Sequence, residues 1–382
     1  MQKDREMATT ALPVWRRAVI KIGSGLIAPG GKKCSTQYTL SIAGFITAAK
    51  NQGKEIIMVS SGAVAGGLST QTELLKHVTR TIPEKQALAA IGQPLMMNHW
   101  RRFFDFPCAQ LLLTYDDVHT RKRFVNAKNT IRQLLKMGCL PIVNENDTVA
   151  VEELRVGDND NLAAYVAMLA EADLLIICSD IDGLYDRDPH CHSSARLLPV
   201  VEKIDRTVYA LAGGSRNPIA TGGMRTKIEA AQKACARGIN TVLINGSRRE
   251  ALDSLLAGRL SGTLFKRSQN PMTAKKHWMV HALAPCGQIT IDGGAGRALL
   301  QCGASLLPSG VTGVAGDFKK GEPVLVLLQQ GKQTVPIAKG ITRYGARDLA
   351  KIKGRKSAEI TGILGYAGAE VIHRDDLVLI HE

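Results

Sequence analysis

The stretch Val19-Ile20-Lys21-Ile22-Gly23-Ser24-Gly25 runs a short apolar, β-branched segment straight into a glycine turn, with a lysine just before the turn. Read outward from this strand (Ala18–Lys21), similar runs recur at Glu55–Ser60, Ala109–Leu113, Leu140–Asn144, Leu174–Ser179 and Thr241–Asn245. Between them lie longer segments of helical period, Thr36–Asn51, Pro83–Phe104, Lys122–Met137, Asn159–Ala170 and Met224–Arg237. Strands without internal polar alternation, separated by helices, predict a three-layer, open, mainly parallel α/β sheet. In the Asn159 helix, Leu162, Val166 and Leu169 share one face, which puts Asp158 and Asn159 at its start. Ligands of open α/β sheets bind at that end, outside the carboxyl ends of the strands.

The texture changes after about Lys266. From His281 onward, short strands (Gln288–Ile291, Pro323–Leu328, Val335–Lys339) are separated by glycine-rich turns, with one helix near Ala346–Ile352. The expected organisation is a tail over 1–17, an α/β domain over 18–266, a linker over 267–280 containing Pro271, and a smaller β-rich domain over 281–382.

With 382 residues, the chain can bury a core without disulfide or metal support. No apolar run reaches the roughly 18 residues of a membrane span. The best stretch, Leu162–Cys178, contains Glu171 and Asp173. The first 17 residues lack the apolar core of a secretory signal. Eight scattered cysteines without a C-x-x-C pair argue against a disulfide framework or a zinc site and fit a reducing, cytoplasmic compartment. The only cluster with metal-ligand chemistry is His190-Cys191-His192, which reads as an exposed loop. A net charge of +15 favours anionic partners without choosing among nucleic acid, phosphorylated substrates and acidic metabolites. Aromatic residues, at 4%, are too sparse for an obvious base-stacking platform.

Five stretches carry chemistry. The Lys21–Gly25 turn lets backbone N–H groups approach phosphate oxygens beside a point charge, although glycine turns after strands also serve as plain corners. The chain has neither a Walker A loop nor a G-x-G-x-x-G fingerprint. Val59-Ser60-Ser61-Gly62-Ala63-Val64-Ala65-Gly66-Gly67 offers two hydroxyls and then small residues, a pattern shared by ligand loops and by tight strand-to-helix corners. Asn144-Glu145-Asn146-Asp147 and Asp158-Asn159-Asp160-Asn161 gather eight carboxylates and amides at a strand end and a helix start, more than helix capping requires. Such groups can grip the ammonium and carboxylate of an amino acid, hold Mg2+, or orient a lysine. Ser179-Asp180-Ile181-Asp182-Gly183-Leu184-Tyr185 closes another strand with a turn that could meet a nucleotide. Finally, Thr221-Gly222-Gly223-Met224-Arg225-Thr226-Lys227 opens a helix with glycines, hydroxyls and a lysine, a pattern suited to phosphates.

In this order, V-N-E-N-D, V-G-D-N-D-N, G-L-Y and T-G-G-M-x-T-K resemble the amino acid kinase family, and specifically its members that act on glutamate. The tail, with Leu307-Pro308-Ser309-Gly310-Val311 and Gly316-Asp317-Phe318, is similar to a PUA domain. The resemblance implies transfer of phosphate from ATP, with Mg2+, to the side-chain carboxylate of L-glutamate, the step that commits glutamate to proline. It implies that Lys21 and Lys227 stabilise the transferred phosphoryl group and that Asp158 holds them in place. Ser61, Asp147 and Asn159 would bind glutamate, while Lys21, Gly23, Ser179, Asp180 and Thr221, Gly222, Gly223, Met224, Arg225, Thr226 and Lys227 would bind ATP. It also implies a homo-oligomer and proline as a feedback inhibitor near the glutamate site. An ionised carboxylate needs no general base, so the lack of an obvious catalytic histidine fits.

Two positions depart from the family pattern: Gly25 replaces a frequent hydroxyl, and Ser179 stands where threonine is common. Alternatives are a relative acting on acetylglutamate, aspartate or a nucleoside monophosphate, and an RNA-binding protein built around the PUA-like part.

Overall fold

The computed structural model describes residues 10–31, 33–71, 80–150, 159–189, 191–192, 194–212, 223–269, 285–331, 333–356, 359–366 and 370–380. It divides into two compact units, Met1–Pro271 and Met272–Glu382. The first contains strands β1 (Arg17–Ile22), β2 (Glu55–Val59), β3 (Cys108–Leu113), β4 (Leu140–Glu145), β5 (Leu174–Ser179), β6 (Val200–Val201), β7 (Asn240–Asn245) and β8 (Thr263–Phe265). They form one sheet in the order β3-β4-β2-β1-β5-β7-β8-β6. The six strands from β3 to β7 in that order are parallel; β8 pairs antiparallel with β7, and β6 is parallel to β8. Consecutive strands lie on opposite sides of β1 when the chain passes from β4 to β5, so the crevice of this sheet opens at the carboxyl ends of β1 and its neighbours.

Helices α1 (Thr36–Asn51), α2 (Ala63–Leu68), α3 (Ile82–Arg101), α4 (Arg121–Lys136), α5 (Asn159–Leu169), α6 (Met224–Ala236) and α7 (Arg249–Leu256) cover it. Local chemistry sets their starts. Ser35 accepts a hydrogen bond from the Gln37 N–H, and Thr81 forms a reciprocal capping box with Glu84. Alternation along the strands divides the core into two layers. Val19, Ile57, Val59, Val143, Leu175, Ile177 and Leu243 pack under α5 and α6. Ala18, Ile20, Ile56, Met58, Ile142, Ile176 and Val242 face Ile42 and Ile46 of α1, Met96 and Trp100 of α3, and Leu252 and Leu255 of α7. Lys21 shares the parity of Val19, which directs it to the α5–α6 layer. Every residue of α5 from Asp160 to Leu169 is buried, so this helix is core on all sides.

The second unit is a five-stranded sheet, β10-β9-β11-β12-β13, made of β9 (Gly287–Ile291), β10 (Val311–Gly316), β11 (Pro323–Gln330), β12 (Gln333–Ile341) and β13 (Leu377–Leu379). Helices α8 (Gly293–Cys302) and α9 (Ala346–Ile352) accompany it, and Ile289, Ile291, Leu299, Val324, Val326, Leu349 and Ile352 are among its core residues.

The six strands and five helices expected in the first part of the chain are present with ends shifted by a few residues at most. Elements not anticipated there or beyond include the short helix α2, the strands β6 and β8, helix α8, and the strands β10 and β13. No helix among the described residues is long and apolar enough to cross a membrane.

Helices α2 and α3 touch backbone to backbone: a Cβ on Gly92 would lie 1.7 Å from the Ala63 carbonyl oxygen, and one on Gly67 would lie 2.0 Å from that of Leu88. Gly44 in α1 is exposed, and a Cβ there would meet nothing within 4 Å. Gly92→Ala is therefore expected to destabilise the chain by about 1–3 kcal/mol or more through overpacking. Gly44→Ala is expected to stabilise it by about 0.5–1 kcal/mol through the lower entropy of the unfolded chain. Urea unfolding of both variants checks this pair.

Candidate active site

The sheet crevice is centred on a buried carboxylate, Asp160, in the first turn of α5. Its Oδ1 lies 2.5 Å from Lys21 Nζ at the end of β1, and its Oδ2 lies 3.0 Å from Lys227 Nζ in the first turn of α6. Thr226 donates its hydroxyl to the same Oδ2 at 3.0 Å. The Asp160 side chain is 0% exposed, and those of the two lysines are 7% and 6% exposed. Burial alone would raise the carboxyl pKa from 3.8. The attraction and hydrogen bonds of Lys21 and Lys227 outweigh that and hold it at about 2. Two ammonium groups around one carboxylate leave one positive charge in excess, at the start of a helix whose N–H groups point the same way.

One residue earlier in the chain, Asn159 turns to a different neighbourhood. Its Nδ2 lies 2.8 Å from the Ser60 carbonyl oxygen, 2.8 Å from Ser61 Oγ and 3.0 Å from Asn144 Oδ1. The carboxyl ends of β2 and β4 thus meet at the first residue of α5. Gly62 makes the turn after Ser61 with φ of 91°, and a Cβ there would sit 2.9 Å from Ile27 Cγ2, so both conformation and space demand glycine. Asn146 and Asp147 follow β4, with the Asn146 N–H bonded to the Leu113 carbonyl at 2.9 Å. Asp147 is partly exposed in that turn.

On the other side of β1, the Gly23 N–H donates to the Cys178 carbonyl at 3.1 Å, which ties the first glycine turn to the end of β5. Ser179 donates to Asp180 Oδ1 at 3.1 Å, and Asp180 is exposed. The neighbouring turn is pinned by Asn245, whose amide donates to Asp182 at 2.8 Å, and by Arg248, which lies 3.2 Å from Asp182.

The structure therefore brings Lys21, Lys227, Ser61 and Asn159 around the start of α5, with Gly23, Ser179 and Asp180 on the adjoining strand ends. Two residues of the expected phosphate segment do not turn inward. Arg225 is exposed and paired with Glu229 at 3.1 Å, and Met224 packs against the core. Only their backbone N–H groups at the start of α6 are positioned for an anion. Thr221, Gly222 and Asp158 lie outside the described residues. The contact with both lysines expected of Asp158 is made by Asp160, two positions on. Asn144 and Ser60 are not among the residues that the resemblance assigns to the site, yet both form part of the Asn159 cluster.

Residues 16–245 match the amino acid kinase family, and residues 287–364 match the PUA domain. The chain belongs to the amino acid kinase family. Among its relatives, the glutamate 5-kinase of Salinibacter ruber is 57% identical over 98% of this chain and 100% of its own length. That of Idiomarina loihiensis is 50% identical over 97% of this chain and 99% of its own.

Replacing Asp160 by asparagine would leave two buried ammonium groups without their counter-charge. The expected loss of stability is about 3–5 kcal/mol at pH 7. Because the folded pKa lies below the unfolded one, the stability that Asp160 supplies is complete above pH 3.8 and is lost as pH falls towards 2. The gap between parent and Asp160→Asn should therefore narrow through that window, as measured by denaturant unfolding at several pH values.

Proposed function

We propose that this chain transfers the γ-phosphoryl group of ATP to the side-chain carboxylate of L-glutamate, giving L-glutamyl 5-phosphate on the way to proline. The observation that carries the reading is the pair of consecutive residues at the start of α5. Asn159 joins the hydroxyl and amide groups of Ser61 and Asn144, while Asp160 joins Lys21 and Lys227. A polar pocket for an amino acid and a cationic centre for a terminal phosphate thus share one helix end. The full-length similarity to glutamate 5-kinases supports the same substrate pair.

The chemistry is an in-line displacement. A glutamate carboxylate oxygen forms a bond to the γ-phosphorus as the bond to the bridging oxygen breaks, and ADP leaves with that electron pair. The nucleophile is already ionised, so no proton is moved, and catalysis rests on placement and charge. Lys21 and Lys227 neutralise the equatorial and leaving oxygens, and Asp160 fixes the two lysines before the substrate arrives. Ser61, Asn159 and Asp147 bind glutamate. Gly23, Ser179, Asp180 and the backbone from Thr221 to Lys227 bind the nucleotide. The donor set of the triad is cationic, so Mg2+ is proposed to arrive on the phosphates and to add further neutralisation there. Proline would act by occupying the glutamate half of the site. The cytoplasm is the proposed location, in keeping with eight free cysteines, and a homo-oligomer is the proposed assembly. RNA contact by the second unit is the second reading, supported by the match of residues 287–364 to the PUA domain and by the +15 charge of the whole chain.

A coupled assay of ADP release with glutamate, aspartate and N-acetylglutamate tests the reading. Glutamate should be preferred by at least about 10²-fold in kcat/KM, because aspartate misplaces the carboxylate and acetylation removes the ammonium that the acidic groups bind. Comparable rates with either alternative would overturn the assignment. Lys227→Ala should lower kcat by about 10²–10³-fold or more while the far-ultraviolet circular dichroism stays unchanged. Asp147→Ala should raise the KM for glutamate far more than that for ATP, and equal effects would remove Asp147 from the acceptor pocket.

A further inference from the structure

Helix α3 lies in the layer on the opposite face of the sheet from the Asp160 triad, yet it reaches the walls of the acceptor pocket at three heights. Gln86 donates its amide to the Ala150 carbonyl at 3.3 Å, Gln93 donates to the Glu145 carbonyl at 3.4 Å, and Trp100 donates its indole N–H to Ser60 Oγ at 2.9 Å. The three donors are seven residues apart. Two helical turns take 7.2 residues, so they form one row along a single face. Trp100 and Ser60 are both 0% exposed, and Gln93 is 7% exposed. The Gln93 amide is oriented from behind, because its Oε1 accepts from Gln110 at 2.9 Å and its NH2 is thereby turned to Glu145.

The contacts fall on the segments that make up the acceptor side. Ser60 continues the parity of Ile56 and Met58, which places its hydroxyl on the α3 side of the sheet, whereas its carbonyl accepts from Asn159. With the indole N–H on its oxygen, the Ser60 proton is directed to the Ser61 carbonyl at 3.2 Å. Glu145 is the last residue of β4, beside Asn144, and Ala150 ends the turn that carries Asn146 and Asp147. The close approach at Gly92 anchors the middle of the same helix against α2, which follows Ser61 and Gly62 directly. These contacts of α3 fall on Ser60, Glu145 and Ala150, the segments of the acceptor side.

We propose that Gln86, Gln93 and Trp100 are positioning residues of the acceptor pocket: through them α3 sets the spacing between the Ser60–Ser61 wall and the Asn144–Ala150 wall, and hence the affinity for the amino acid, without governing the nucleotide half. The inference rests on the reading that these two walls hold glutamate.

Trp100→Phe keeps a buried ring and removes the donor. Loss of one buried hydrogen bond from the pocket wall should raise the KM for glutamate about ten-fold and leave that for ATP within about two-fold. Gln93→Met, which keeps the length of the side chain, should act in the same direction. In the double variant Trp100→Phe, Ser60→Ala the effects should not multiply, since the second substitution removes a partner already lost. Equal rises in both KM values, no change in the KM for glutamate, or full multiplication in the double variant would overturn the proposal. If Trp100→Phe fails to fold by circular dichroism, Gln93→Met decides by the same two KM values. Ser61→Ala and Asp147→Ala serve as parallel controls. Should they raise the glutamate KM while the α3 variants do not, only the role of α3 falls; should none of the four do so, the acceptor pocket itself is misplaced and the proposal falls with it.

Discussion

A single carboxylate held between two ammonium groups, away from water, governs the rest of this structure. Taking three charges out of solvent costs several kcal/mol per ion after relaxation, and their mutual attraction recovers that only with good geometry. A well-packed apolar cluster of similar volume would stabilise the fold as well or better. The triad of Lys21, Asp160 and Lys227 therefore makes sense as electrostatic preparation. On the proposed reading it keeps an excess positive charge at a fixed place, so that a developing phosphate charge would meet oriented groups with no rearrangement at the moment of transfer. Its three members come from the central strand β1 and the first turns of α5 and α6. The order of the sheet, which puts β1 beside β5 and under both helices, is what lets residues 21, 160 and 227 touch.

In the proposed reaction, the same helix end would let donor and acceptor meet without an added catalytic group. Asn159 and Asp160 are successive residues, about 100° apart around the helix, so one reaches the strand ends of β2 and β4 while the other reaches β1 and α6. A reaction in which the nucleophile is already charged needs only that the two half-sites be held at the right separation. Rigid placement of α5 supplies this, and its burial on every side is the structural form that rigidity takes.

Much of this was legible in the chain because the strands of a parallel sheet are buried on both faces and read as continuous apolar runs. Leu174–Ser179 and Glu55–Val59 announce themselves in this way. The glycine turn after Lys21 and the polar residues around Asn159 could be located by position alone, since they follow a strand or open a helix. What escaped were features that depend on phase or on tertiary pairing. Asp160, which holds both lysines, lies two positions beyond Asp158, which was expected in that role and lies outside the described residues. In α5 both faces are apolar, so periodicity offers no phase. The helices Ala63–Leu68 and Gly293–Cys302 carry several glycines, which weaken any local helical signal. The strand Thr263–Phe265 is three residues long and exists because its neighbour offers an open edge.

The row of donors on α3 belongs to this second group. Neither Gln86, Gln93 nor Trp100 stands in a motif, and a seven-residue recurrence of two amides and an indole looks like ordinary helix surface until the strand ends opposite are known. Its effect follows from the division of the sheet into two layers. The face under α5 and α6 holds the charges, and any packing change there disturbs the triad directly. The other face carries no charge of the triad, so α3 can adjust the walls of the acceptor pocket through backbone carbonyls and one hydroxyl while the lysines stay where they are. Separation of the two tasks on opposite faces of one sheet allows recognition of the amino acid to vary without loss of the phosphate centre, a freedom that a site built on a single layer would lack.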